Sequence, residues 1–292
     1  MNGYRDGLNG RVLIAAHRGI AGGNIPCNSL RGFQAALGQG ADVIELDVSL
    51  SQDGTPYVFH PGKEPLYLRC SRPIAQMRDR DVEALSLYNM DGAPTDDRVP
   101  RLDDCLAFLR GKCRINVDKF WADIPRLATL LRKMGMQDQV IVKAPLTDDY
   151  VALMEEYAYD LPFMPIVRED SGIHERLTAN RQLRYIGVEA IFRGDDSPLC
   201  GGGFVDKLHR DGCILWANPI VYDTHTLLTG THTDDAALLG DPEQGWGFLI
   251  RRGFDILQTD WPLALRMYGA ANFPARFAPA APAKGHGKEG AS

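Results

Sequence analysis

No apolar run in this chain approaches the ~18 residues a helix needs to cross a bilayer. No cluster of Lys and Arg is present that could track a nucleic-acid backbone, and the formal net charge is −6. A nucleic-acid partner is therefore not expected, and docking on anionic lipid is disfavoured. None of the six cysteines (Cys27, Cys70, Cys105, Cys113, Cys200, Cys213) forms a Cys-x-x-Cys pair. Scattered cysteines in a large chain are expected to be reduced thiols rather than a disulfide framework. The N-terminal stretch lacks the shape of a signal peptide, since its apolar run, 12–16, is too short for an h-region. These absences together lead to the expectation of a cytoplasmic protein.

What is present suits a globular enzyme. The 292 residues are 45% apolar and 24% charged, enough for a sizeable core. Short apolar runs read as strands at 12–16, 43–50, 56–60, 114–118, 139–143, 163–167, 184–191, 213–216 and 255–258. Helical patterns fall between them at 28–38, 101–110, 123–134, 148–158, 171–181, 202–210, 224–229 and 244–252. Strands separated by helices predict parallel βαβ units. With 56–60 set aside as a hairpin partner, eight units remain, which predicts an α/β fold of the (β/α)₈ TIM-barrel type. Ser51-Gln52-Asp53-Gly54-Thr55 supplies the hairpin turn. Residues 61–98 read as an insertion after the second strand. The barrel is expected over 1–268, and the Ala-, Pro-, Gly- and Lys-rich segment 269–292, including His286, as a disordered tail.

Four ionisable residues in the first sixty positions carry the chemistry. His17 lies in Ala16-His17-Arg18-Gly19, Glu45 and Asp47 in Val43-Ile44-Glu45-Leu46-Asp47-Val48, and His60 in Val58-Phe59-His60-Pro61. Two imidazoles can run acid–base chemistry near neutral pH. Carboxylates at i and i+2 of a strand share a face and can share a hard divalent cation. Asp118 ends the strand in Asn116-Val117-Asp118 and is a candidate third carboxylate. Taken singly, a strand-end His or a Glu-x-Asp pair is ordinarily structural or solvated. Their conjunction beside Arg18, a cation for an anionic substrate, predicts metal-assisted cleavage of a phosphate ester. Three carboxylates favour Mg²⁺ or Ca²⁺, with Mn²⁺ as a further option, over zinc.

His17-Arg18-Gly19, Pro26-Cys27-Asn28-Ser29, Gly40-Ala41-Asp42-Val43-Ile44-Glu45-Leu46-Asp47-Val48, Asp53-Gly54 and Val58-Phe59-His60 together resemble the glycerophosphodiester phosphodiesterase family. That family's pattern reads His-Arg-Gly, Pro-Glu-Asn-Thr, Gly-Ala-Asp-x-Ile-Glu-x-Asp-Val, Asp-Gly, Val-x-His-Asp. The match is dense over 15–60. Asn116-Val117-Asp118 resembles the third ligand strand, and Phe254-Asp255 to Thr259-Asp260-Trp261-Pro262 the last strand and its turn. The resemblance implies a TIM barrel hydrolysing a small phosphodiester to a phosphomonoester and an alcohol. Glu45, Asp47 and Asp118 would hold one divalent cation, Arg18 would bind phosphate oxygens, and His17 and His60 would serve as acid and base. A neighbouring hydroxyl of the substrate can attack first in this family, giving a cyclic phosphate.

The chain departs from the pattern at four places. Cys27 replaces the Glu of Pro-Glu-Asn-Thr, Pro61 follows His60 where Asp is usual, and Asp118 replaces a Glu, shortening its reach by roughly 1.5 Å. Phe120 stands where the family carries a Lys. Lys119 is expected to face the opposite side of its strand, which leaves Lys143 as the substitute phosphate cation. Glu189 and Trp216 are further candidates for substrate contact, Trp216 by stacking on a sugar or glycerol face. These departures mark a divergent branch, in which an opine-type (agrocinopine-like) sugar phosphodiester is an alternative substrate. A phospholipase-D-like lipid enzyme and a non-catalytic binding barrel are the other readings. Oligomeric state is not legible.

Overall fold

The computed structural model describes residues 4–278. Its strands are β1 (Leu13–Ala16), β2 (Val43–Leu50), β3 (Pro56–Val58), β4 (Ser86–Tyr88), β5 (Pro94–Arg98), β6 (Arg114–Asp118), β7 (Val140–Pro145), β8 (Phe163–Val167), β9 (Gly187–Ala190), β10 (Ile214–Ala217) and β11 (Ile256–Thr259). Eight close a parallel barrel in the order β1-β2-β6-β7-β8-β9-β10-β11, with β11 pairing back onto β1. The predicted TIM barrel is therefore the fold. The helices between strands bury one apolar stripe each. Helix Ile124–Lys133, for example, covers Ile124, Leu127, Ala128 and Leu131, and the Asp123 side chain caps it by accepting from the Arg126 N–H.

Strand alternation decides where the site lies. In β2, Ile44, Leu46 and Val48 join the apolar layer beneath the helices, and Val43 packs inside the barrel. Glu45 and Asp47 share the inward face with Val43. The lower interior is filled by Leu13, Ala15, Val43, Ile141, Met164, Ile186, Ile214, Trp216 and Ile256. Toward the C-terminal strand ends the inward positions turn polar: His17, Glu45, Asn116, Lys143, Glu189, Asn218 and Gln258 line one cavity. Register aligns them, since Glu45 pairs with Asn116 and Asp47 with Asp118 across β2 and β6.

The hairpin forms as expected, with β3 antiparallel to β2 and Gly54 in a left-handed turn. The insertion is more regular than its sequence suggests. It contains short helices Glu64–Tyr67 and Asp79–Glu83 and the antiparallel pair β4–β5. Tyr57, Phe59, Leu68, Ile74, Met77, Val82, Leu87 and Val99 form its own core. Buried Glu64 accepts from the Ile74 N–H and ties helix Glu64–Tyr67 to the turn at Ile74.

Two expectations need correction. Residues 224–229 are not helical, because the Asp223 carboxylate accepts from the N–H groups of His225 and Thr226 and folds the segment into a turn. The helix falls later, at Asp234–Leu239, where the Thr233 side chain caps it by accepting from the Ala236 N–H. The segment after 268 also begins in order. Helix Pro262–Asn272 is followed by Pro274–Phe277, and Phe277 is buried against Gly269. The rest of the expected tail, with His286, lies outside the described residues.

Gly187 opens β9 at φ +143°, and a Cβ there would stand 1.9 Å from the Ile214 carbonyl oxygen of β10. Gly187→Ala is expected to destabilise the barrel by about 2–4 kcal/mol, through backbone strain and a forced shift of that strand pair. Denaturant titration measures the loss; an unchanged midpoint would contradict this account of the register.

Candidate active site

The turn after β1 places two groups at once. His17 continues the inward face of β1, and Arg18 adopts φ 55°, a left-handed conformation that reverses the chain over the barrel mouth. The Arg18 N–H donates to Glu45 Oε2 at 2.7 Å. Its guanidinium Nε lies 2.9 Å from Asp47 Oδ2, an ion pair whose angle leaves that buried N–H without a hydrogen-bond acceptor. Asn28, also left-handed, donates from Nδ2 to the same Asp47 oxygen at 2.9 Å.

Glu45, Asp47 and Asp118 present carboxylate oxygens that all lie within 4.8 Å of one another, and the first two are buried. Burial, followed by the charges of Asp47 and Asp118, pushes the Glu45 carboxyl well above its ordinary range. Asp47 also feels burial, but Arg18, His60 and Lys119 together with the Asn28 hydrogen bond bring it below the usual value. Like charges at such spacing repel by on the order of 3 kcal/mol per pair at an effective dielectric near 20. A hard cation with oxygen preference fits this donor set. Asn116 strengthens the fit: it is fully buried on the same cavity wall, and both its amide atoms lack partners.

The two histidines border the same mouth as this cluster. His17 Nδ1 is 2.8 Å from Asp260 Oδ1, and His60 Nδ1 is 2.8 Å from the Pro61 carbonyl oxygen. Both partners accept, so each ring carries its proton on Nδ1 and has Nε2 as its second, basic nitrogen. His60 Nε2 is 3.9 Å from Asp47 Oδ1, and His17 Nε2 is 3.5 Å from the Tyr222 hydroxyl. Burial lowers the His60 pKa, Arg18 and Lys119 lower it further, and Asp47 opposes them.

The lysines exchange the places expected of them. Lys119 has φ 58°, which ends strand alternation at Asp118 and folds the ammonium back to 2.8 Å from Asp118 Oδ2. Burial alone would favour discharge, but Asp118, then Asp47 and Glu45, hold its pKa above the ordinary value. Lys119 thus reaches the mouth. Lys143 is buried on the cavity floor, with Nζ 2.6 Å from Glu189 Oε2 and 3.3 Å from the Trp216 ring centroid. Its charge is already answered by Glu189. Glu189 lines the cavity and accepts from Asn218 Nδ2 at 2.6 Å. Trp216 is fully buried in the barrel interior with Nε1 donating to Asn218 Oδ1, so it supports Lys143 and offers no face for stacking.

Three contributors carry no role in the sequence reading. Tyr222 sits edge-on to His17 from the loop after β10. Asp260 holds the His17 tautomer. Asp234, buried, accepts from the Thr259 hydroxyl, the Asp260 N–H and Trp246 Nε1. Burial pushes the Asp234 carboxyl up to about 7 against these donors. It anchors the turn that carries Asp260. The Thr-Asp at 259–260 was visible in sequence; its contact with residue 17 arises only when β11 pairs with β1.

Comparison with known proteins bears on the whole chain. A family described as a domain of unknown function matches residues 163–268. A glycerophosphodiester phosphodiesterase of Bacillus altitudinis is 36% identical over 134 residues, 44% of this chain and 50% of that protein. The chain spans about half the length of the curated relatives it matches. In fold, a glycerophosphoryl diester phosphodiesterase from Parabacteroides distasonis superposes with a TM-score of 0.74 at 19% identity, covering 96% of this chain and 95% of that one. A phosphodiesterase of Oleispira antarctica, solved with its product sn-glycerol-3-phosphate, gives 0.58 at 18% identity over 87% and 95%. In sequence over about half its length, and in fold over nearly all of it, this chain resembles the glycerophosphodiester phosphodiesterases.

Proposed function

We propose that this chain hydrolyses a phosphodiester of the glycerophosphodiester class, releasing a phosphomonoester and an alcohol. The observation that carries the reading is the juxtaposition of two imidazoles, three clustered carboxylates and two cations at one barrel mouth. Glu45, Asp47 and Asp118 would hold a divalent cation, Mg²⁺ or Ca²⁺, with Mn²⁺ a further option. When bound, it would supply positive charge to the phosphate and to the charge building on phosphorus. Arg18 and Lys119 bind non-bridging oxygens from the protein side. One histidine takes the proton of the attacking hydroxyl, either water or a neighbouring hydroxyl of the substrate. The other enters as an imidazolium with a second proton on Nε2 and gives that proton to the departing alcohol oxygen. Asp260 keeps His17 Nδ1 protonated and its ring aimed. The Lys143–Glu189–Asn218 network presents polar atoms to a polyol, whether glycerol or a sugar.

A panel of soluble phosphodiesters with Mg²⁺, Ca²⁺ or Mn²⁺, read by phosphorus NMR for the monoester formed, tests the reading; no turnover on any member rejects it. His17→Ala and His60→Ala are each expected to lower kcat by on the order of 10²–10⁴ with the fold intact by circular dichroism. Full activity in either variant would remove that histidine from the mechanism. Saturating divalent cation at about 100 times Kd is expected to stabilise the chain by about 2.7 kcal/mol. Asp118→Asn should abolish most of that gain in a thermal-unfolding assay, and an undiminished gain would place the ion elsewhere. Asp234→Ala is expected to cost about tenfold or more in kcat and to shift the pH profile, because a displacement near 1 Å at His17 weakens proton transfer. Loss of stability with an unchanged pH profile would reduce Asp234 to a purely structural role.

A further inference from the structure

The mouth opens in two directions with different chemistry. On one side of the carboxylate cluster is a cavity of about 570 Å³, bordered by Asn116, Lys143, Arg168, Glu169, Glu189 and Asn218. On the other side a groove runs outward from His17, Arg18 and His60 between the insertion and helix Pro262–Asn272. His17, Lys119 and Tyr222 border both, so the reacting phosphate would lie at the junction.

The groove gathers large exposed apolar side chains among polar ones, for Gln39, Lys63, Asp223 and Asp235 also line it. Nine large apolar side chains stand exposed among the described residues: Leu66, Met90, Tyr159, Tyr222, Leu238, Leu239, Trp261, Leu263 and Met267. Six of them line this groove, namely Leu66, Met90, Tyr222, Trp261, Leu263 and Met267. Trp261 is 52% exposed and Met267 66%. Leu263 and Met267 are four residues apart on one helix face, and Leu66 and Met90 come from the insertion. Scattered exposed apolar residues need no explanation, but a contiguous set beside a reactive centre marks a binding surface. Cys27 continues the theme. It lines the groove where the family pattern has a Glu, and burial pushes its thiol up to about 11, with Arg18 opposing, so it is uncharged at neutral pH.

We infer that the groove receives a hydrocarbon chain, and that the substrate is an amphipathic phosphodiester with a polar arm in the cavity and an alkyl or acylated arm in the groove. This inference rests on the phosphodiesterase reading and sharpens its substrate class. Continuity supports it: whatever is esterified to a phosphate between His17 and His60 on the groove side must leave along these side chains.

The test compares glycerol-phosphate diesters of ethanol and octanol below the micellar concentration. It also measures binding of ethyl and octyl phosphate by tryptophan emission, with Trp261→Phe as control. The octyl diester is expected to be favoured at least tenfold in kcat/KM, and octyl phosphate to bind at least tenfold more tightly. Leu263→Glu with Met267→Glu should bring both ratios near one. Equal values for ethyl and octyl in the wild-type protein would overturn the inference while leaving phosphodiesterase activity standing. Octyl phosphate binding without cleavage of any diester would instead preserve the groove and reject the activity. Sedimentation of both proteins guards against another occupant: a wild-type dimer dissociated by the double substitution, with both ratios unchanged, would assign the groove to a second copy and overturn the inference.

Discussion

Three carboxylates held together in a largely buried mouth are the constraint on which the rest of the site depends. Glu45 and Asp47 share a face because a strand repeats every two residues, and Asp118 joins them through the register of β2 and β6. Nothing in the apolar interior below could stabilise three such charges. The neighbouring groups answer them in part. Arg18 bends back in a left-handed turn to reach Glu45 and Asp47, Asn28 donates to Asp47, and Lys119 folds onto Asp118. Two of these three residues lie within twelve positions of each other yet approach from one loop, and all three have positive φ. Backbone strain clustered around a charged centre is the pattern of a functional site rather than of a surface.

The same mouth explains the division of labour among lysines. A buried ammonium needs a carboxylate near it, and Glu189 already pairs with Lys143 at 2.6 Å. Lys143, Glu189, Asn218 and Trp216 form a closed network that stiffens the cavity floor. Arg18 and Lys119 pair instead with the mouth carboxylates Asp47 and Asp118, on the lining that the groove shares. On the groove side, the Cys27 thiol and exposed apolar side chains stand beside Lys63, Asp223 and Asp235. Phe120 is buried in the core, and Lys119 just before it has a left-handed backbone.

The barrel was legible because its signals are local. Apolar runs of four to eight residues and the Asp53-Gly54 turn each act over a few positions. The false helix at 224–229 shows the limit: a side-chain turn at Asp223 outcompetes helix formation there, and periodicity does not record that competition. In the site, residues on β2 and at its hairpin were legible by spacing. Lys119 was misjudged because one left-handed residue reverses the alternation rule. Trp216 looked like a stacking platform because its place in the depth of the barrel cannot be seen along the chain.

The sequence by itself determined the fold class and the chemical type of the mouth, since strand period and helix caps are short-range and the histidines and carboxylates sit on those short elements. Only the tertiary structure decided which partners meet. Closing β11 onto β1 brings Asp260 to His17 across 243 residues, and packing the insertion beside helix Pro262–Asn272 creates an apolar groove neither segment contains alone. The physical reason is that these contacts depend on ring closure and on the depth of each strand in the barrel, quantities that no local pattern encodes.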